Sequence, residues 1–409
     1  MVRHLAFHYL GCAAALDDGV AVPSRVGPLL ECLAAMVDRL TVIAYDLPAD
    51  PVPVEDGIEY VVRSPRRNVD VLSLGQKGTL RTYISRRRRV RRIVEGASPE
   101  WDALVLQLAN RRANLVFAAS RSDRIAAMIV GRSATHVARA PWPLRRKLVG
   151  RLRTSVEERH VRRIVRGADV VVTNSEELSR QYGRESRIDV IPMSTRAARY
   201  EHRADDRMID TLDLMISGRI AAEKGVFEAM TAFASVHSDF PRARLHLVGD
   251  GPALAQLLDR AQELGVSGDV VAHGWVPATK KLFDIYASMD VLLLPSYAEG
   301  LPYSVWEALA HSVLVICTPV DGVRDAFGDE EEVMFVPPRD DAAIARAIRR
   351  LAGDAVLRRR LLRAGYDRAR NVTAESVASR LVQEIASTRG PEWEPSNGPG
   401  SEAHRRRRR

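Results

Sequence analysis

Short apolar runs alternate with helix-length stretches along almost the whole 409-residue chain, and that rhythm constrains the fold more than any other feature. In the first half "LTVIAYD" (40–46), "WDALVLQL" (101–108), "ADVVVTNS" (168–175) and "IDVIPM" (188–193) read as buried strands. The N-terminal "MVRHLAFHYLGCAAALDDG" reads as a first buried strand rather than a secretory leader, because Arg3 and His4 make a weak positive region. Helical patterns such as 144–166 fill the gaps. Strands separated by helices imply βαβ units and a parallel sheet.

The rhythm then breaks and restarts. Residues 194–210, "STRAARYEHRADDRMID", are polar and charged with almost nothing to bury. Beyond them come "LDLMIS" (212–217), "ARLHLVG" (243–249), "DVVAHG" (269–274), "DVLLLP" (290–295), "VLVICT" (313–318) and "VMFVP" (333–337). Between these strands, 225–237 carries Val226, Met230 and Phe233 on one stripe, as an amphipathic helix requires. A chain of 409 residues exceeds one ordinary core, so two domains are expected. The boundaries drawn are 1–195 for an N-terminal Rossmann-like domain, 196–211 for a linker and 212–372 for a C-terminal domain. A helix over 373–389 packs back on the first domain, and 390–409 forms a disordered Arg-rich tail. The fold class is α/β, with two doubly wound parallel sheets facing across a cleft.

Hydrophobic residues at 46% and charged residues at 28% suit a folded, soluble chain. No apolar run is long enough to span a bilayer. Cys12, Cys32 and Cys317 are too scattered for a disulfide framework or a zinc site, which fits a reducing cytoplasm. The net charge is +9, and five of the 61 basic residues are lysine. Arginines concentrate in "SRRRRVRR" (85–92) and "HRRRRR" (404–409). Both clusters suit phosphates, either of an anionic membrane or of nucleic acid. The expected location is the cytoplasm, peripheral on the inner face of the cell membrane.

Chemistry-bearing residues stand at strand ends. "SGRIAAEKGVFEA" (217–229) sets Gly218 in a tight turn and brings Arg219 and Lys224 beside a helix start. Free N–H groups and the dipole there favour an anion, and two added cations suit a diphosphate. "LVGDGPALAQL" (247–257) has Gly249 and Gly251, with Pro252 expected to begin a helix. "AHGWVP" (272–277) places Gly274 and Trp275 past another strand. "PSYAEGLPYSVWEALA" (295–310) turns on Gly300, Leu301 and Pro302, and carries Glu299 before the turn and Glu307 in the helix after it. A carboxylate at Glu307 suits the paired hydroxyls of a ribose, and Glu299 suits those of a hexose.

In order and spacing, residues 211–372 resemble the C-terminal domain of the retaining, nucleotide-sugar-dependent glycosyltransferases of the GT-B fold, the family 4-like "glycosyl transferases group 1". The resemblance implies that Arg219 and Lys224 hold the donor diphosphate as catalytic residues. It implies that Glu307 binds the donor ribose and that Glu299 touches the transferred sugar. Gly218, Gly249, Gly251, Gly274, Trp275, Gly300, Leu301 and Pro302 would then line the donor site. The implied reaction is a hexosyl transfer from a UDP- or GDP-linked sugar to a glycan, lipid-linked or small-molecule acceptor. Neither a metal nor another cofactor is expected, and no Asp-x-Asp motif stands at a strand end.

The N-terminal half departs from the family pattern. The first loop, "LGCAAALDDGVAVPSR" (10–25), has only Gly11 and Gly19 where two adjacent glycines are usual. "THVARAP" (135–141) offers His136 and Arg139 near the place of a usual His-Asp pair, and Ser194-Thr195-Arg196 replaces Gly-Val-Asp. Gly19, His136 and Arg139 are therefore the candidates for the acceptor side. Two other readings compete: a nucleotide-sugar epimerase of the same fold, and a basic nucleic-acid-binding protein. The first lacks an acid/base signature, and the second lacks aromatic residues within "SRRRRVRR". No nucleic-acid partner is expected.

Overall fold

A computed structural model of the chain describes residues 2–17, 19–23, 26–46, 58–62, 66–76, 80–108, 111–129, 144–173, 176–183, 187–189, 211–299, 302–320 and 322–388. The chain divides into two compact units, Met1–Val190 with Glu375–Arg409, and Ile191–Ala374. Apart from Thr211, the linker placed at 196–211 lies outside the described residues, as does the tail at 390–409.

The first unit holds strands β1 (His4–Cys12), β2 (Ala14–Leu16), β3 (Gly19–Pro23), β4 (Arg39–Asp46), β5 (Ile58–Val62), β6 (Val69–Gln76), β7 (Ala103–Leu108), β8 (Arg124–Ile129), β9 (Val170–Thr173) and β10 (Arg187–Asp189). Seven of them make one sheet in the order β10-β9-β8-β7-β1-β4-β6. Every neighbouring pair in it is parallel. Helices Leu80–Ala97, Arg111–Ala119 and Leu144–Gly167 make crossovers. They bury Val94, Val116, Phe117 and Ile164 against Leu104, Leu106 and Ile125 of the sheet.

One expectation for this unit is corrected. The described residues of 10–25 run mostly as strands rather than as a glycine-rich loop. Gly11 continues β1 and Gly19 opens β3, which pairs antiparallel with β2 and β5 in a second, three-stranded sheet. Val20, Ala21 and Val22 form a continuous buried run, as a strand covered on both faces does, while Leu16 on β2 is exposed.

The second unit holds β11 (Asp213–Ser217), β12 (Arg244–Val248), β13 (Val270–Gly274), β14 (Val291–Leu294), β15 (Leu314–Cys317) and β16 (Met334–Phe335). They form one parallel sheet in the order β13-β12-β11-β14-β15-β16. Both faces are covered. Leu214, Ile216, Leu245, Leu247, Val291, Leu293 and Ile316 enter one core with helix Val226–His237. Met215, Leu292, Leu294, Val315 and Cys317 enter the other, with Leu282, Phe283 and Trp306. Burial on both faces is why these strands read as continuous apolar runs. The stripe expected on 225–237 is found, with Val226, Met230 and Phe233 all fully buried. Burying each large apolar side chain is worth about 1.5–3 kcal/mol.

The chain leaves β11 on one side through β12 and β13, then crosses back to β14 on the other. A doubly wound sheet binds ligands outside the carboxyl ends of its strands where the order reverses. In this unit that place lies past Ser217 and Leu294.

Candidate functional site

The loop after β11 is shaped by its glycines. Gly218 has φ 129°, and its amide donates to the Val248 carbonyl at 2.9 Å. A single turn of 3-10 helix, Ala222–Lys224, is ended by Gly225 at φ 68°. A β-carbon on Gly225 would stand 2.1 Å from the Pro295 carbonyl oxygen, so only glycine lets this loop close on the end of β14. Helix Val226–His237 starts from that contact.

The loops after β12 and β13 are tied into the same assembly. Ile220 N donates to Asp250 O at 2.9 Å, Ala253 N to Ile220 O at 3.0 Å, and Gly249 N to Gly274 O at 2.7 Å. Gly251 also closes on this loop, since a β-carbon there would lie 2.4 Å from the Ile220 carbonyl oxygen. Pro252 does not begin the next helix, contrary to expectation. The helix runs Leu254–Glu263 with Ala253 as its N-cap residue, and Pro252 stays in the turn before it, where Leu254 N donates to Gly251 O at 3.1 Å. Gly274 has φ 66°, and Trp275 beside it is half-buried.

Lys224 and Glu299 meet across the reversal point. Lys224 Nζ donates to Glu299 Oε1 at 2.6 Å, and Ser296 Oγ donates to the same oxygen at 2.8 Å. The Glu299 side chain is 9% exposed and that of Lys224 is 27% exposed. Arg219, more exposed, pairs with Glu223 one turn along. Both cations expected to face a diphosphate thus hold carboxylates in the protein alone.

The loop after β14 is anchored on three sides. Tyr297 N donates to Glu223 O at 2.9 Å, and Thr318 Oγ1 donates to Ser296 O. The Tyr297 hydroxyl donates to Glu228 Oε1, and the Arg339 guanidinium lies 4.6 Å over the Tyr297 ring. Burial, then the Glu228 hydrogen bond and charge, push the Tyr297 phenol up to about 12, with Arg339 pulling the other way. The phenol therefore stays a donor throughout the neutral range.

Helix Tyr303–Ala310 starts where expected, with Pro302 as its N-cap residue. Glu307 lies on it and is 1% exposed. His311 Nδ1 donates to the Glu307 carbonyl at 2.7 Å, with its ring stacked on Phe283 and Tyr286. Tyr286 in turn donates to Ser217 Oγ at 2.8 Å, joining this helix end to the end of β11.

The structure thus gathers Gly218, Lys224, Gly249, Gly251, Gly274 and Glu299 on adjoining loops of one sheet. Gly300 and Leu301 lie outside the described residues, as do His136 and Arg139. Gly19 is in the first unit, inside β3. Sequence reasoning missed Ser296, Tyr297, Glu228 and Arg339. Ser296 and Tyr297 stand in the quoted "PSYAEG", but nothing local says what they bond.

Residues 203–368 match the family model described as glycosyl transferases group 1. Among curated proteins, TuaC of Bacillus subtilis (strain 168), named for teichuronic acid biosynthesis as a glycosyltransferase, is 33% identical over 200 residues, 46% of this chain and 48% of its own. The lipopolysaccharide core biosynthesis glycosyltransferase LpsE of Rhizobium meliloti (strain 1021) is 30% identical over 183 residues, 44% of this chain and 52% of its own. The chain thus spans about half the length of these two relatives. The α/β class expected from the sequence, GT-B with a parallel sheet in each unit, is that of solved structures. Sucrose-phosphate synthase from Thermosynechococcus elongatus superposes with TM-score 0.69 at 20% identity, over 93% of this chain and 98% of that one.

Proposed function

From the glycosyl transferases group 1 match over residues 203–368, we propose that this protein moves a sugar from a nucleotide-diphosphate sugar to a glycan, lipid-linked or small-molecule acceptor. The observation that carries the reading is the Lys224–Glu299 pair at the point where the strand order reverses, with Glu307 on the helix that follows. In this reading Lys224 and Arg219 face the diphosphate, Glu299 faces the sugar, and Glu307 holds the ribose. The bond from the anomeric carbon to the diphosphate oxygen breaks and negative charge grows on the leaving phosphate. Cations fixed beside that oxygen stabilise the charge most at the transition state. The acceptor hydroxyl enters on the face the diphosphate leaves, and its proton passes to the leaving phosphate, so configuration is retained.

The donor is a UDP- or GDP-linked sugar in this reading. A screen of purified protein against a panel of nucleotide-sugars, with an oligonucleotide control, tests it. Release or transfer of sugar from one donor supports it. Oligonucleotide binding with no turnover of any donor refutes it.

The same reading places the enzyme on an anionic membrane face. On helix Leu80–Ala97, Val90 and Val94 are buried in the first unit's core, while Arg87, Arg88, Arg89, Arg91 and Arg92 are exposed. Charge alone carries this part, at about 1 kcal/mol for each basic residue near the surface. Flotation equal on neutral and anionic vesicles would refute it. Among the described residues no helix is long and apolar enough to cross a membrane.

A further inference from the structure

Lys224 and Glu299 are 75 residues apart in sequence, yet their side chains pair in a part-buried position. Their backbones have little freedom to separate. Tyr297 N is bonded to Glu223 O, next to Lys224, and Gly225 is pressed against the Pro295 carbonyl. Any change of partner is therefore made by the two side chains. Arg219 differs, since its partner Glu223 is four residues away and the pair is the more exposed of the two. Exposed pairs of that kind exchange at little cost.

Resting on the donor-site reading above, we propose that Glu299 discriminates the intact nucleotide-sugar from the free nucleoside diphosphate by competing for Lys224. A diphosphate that engages Lys224 draws it from Glu299. The carboxylate, 9% exposed and held by Ser296 Oγ, then needs a new donor. The hydroxyls of the attached sugar supply one, and a free nucleoside diphosphate has none. Donor binding thus exchanges one pair for two satisfied contacts. The bare nucleotide leaves a desolvated carboxylate beside its own phosphate. Once the sugar has been transferred, Glu299 recaptures Lys224 and favours departure of the product nucleotide.

Calorimetry tests the inference on wild type and Glu299→Gln, using UDP with UDP-glucose and GDP with GDP-mannose. Glutamine keeps the shape and the Ser296 contact but removes the charge. The expected result is free nucleotide bound about 5-fold more tightly by the variant, the size of a modest ion pair. The sugar-bearing donor is bound no more tightly than by wild type, and product nucleotide inhibits turnover more strongly. Glu299→Ala must shift free-nucleotide affinity in the same direction, which keeps the test available if the glutamine variant does not fold. Unchanged or weaker free-nucleotide binding in the variants overturns the inference and leaves the donor-site reading standing. A wild-type protein that binds none of the four compounds overturns that reading itself.

Discussion

A β-carbon on Gly249 would stand 1.8 Å from the carbonyl oxygen of Gly218, so the loops after β12 and β11 touch backbone to backbone. Gly249 also has φ 144°, which side-chain-bearing residues rarely adopt. Gly249→Ala should therefore both clash and strain the turn, costing roughly 3 kcal/mol or more. Denaturant unfolding followed by circular dichroism measures it. Gly268→Ala is the control, because nothing lies within 4 Å of a β-carbon there.

Lys224→Ala should fold, with a stability loss of about 1–3 kcal/mol as Glu299 loses its cation and keeps Ser296 Oγ. The larger effect belongs to turnover. Removing one preorganised group at the leaving phosphate should lower kcat about 10²- to 10³-fold, or about 3–4 kcal/mol. Steady-state donor hydrolysis or transfer reads it. A folded variant with near wild-type turnover removes Lys224 from the diphosphate role.

Glu307→Gln should act on binding. A ribose contact is alike in ground and transition states, so its loss raises KM about 10-fold or more and leaves kcat within about threefold. Glutamine keeps the volume of a side chain that is 1% exposed, which limits the damage to the fold. An equal fall in kcat and kcat/KM would place Glu307 at the reacting centre instead.

Stability should fall on the acid side. His8 is fully buried on β1, and burial pushes its imidazole down from 6.5 to about 4, with the nearby Gln107 backbone opposing. Because burial disfavours the charged imidazole, the unfolded chain takes up this proton first. The contribution is complete above pH 6.5 and is lost as the pH falls toward 4, about 3 kcal/mol in all. Burial lowers His4 and His273 too, and they act in the same direction. His8→Leu should flatten the dependence of unfolding free energy on pH over that window. A slope equal to that of wild type would exclude His8 as its source.

Much of the molecule was legible in residue order because its signals are local. Runs such as "DVLLLP" and "VLVICT" announce strands buried on both faces, since no polar alternation interrupts them. Gly218 announces the turn after β11 because glycine takes a positive φ at little cost, and the structure gives it φ 129°. The small sheet of β2, β3 and β5 was not legible, because β5 begins 35 residues after β3 ends and only pairing makes the three a unit.

The sequence by itself determined the α/β alternation, the turns after each strand, and the presence of Lys224, Glu299 and Glu307 at such turns. Only the tertiary structure decided that Lys224 and Glu299 share a hydrogen bond. That contact exists because β11 and β14 are neighbours in the sheet, although β12 and β13 intervene in sequence. Strand order is settled by which faces the helices cover and by how crossovers pack, both non-local. A pattern of residue types carries the chemistry of each loop, and the sheet order decides which loops meet.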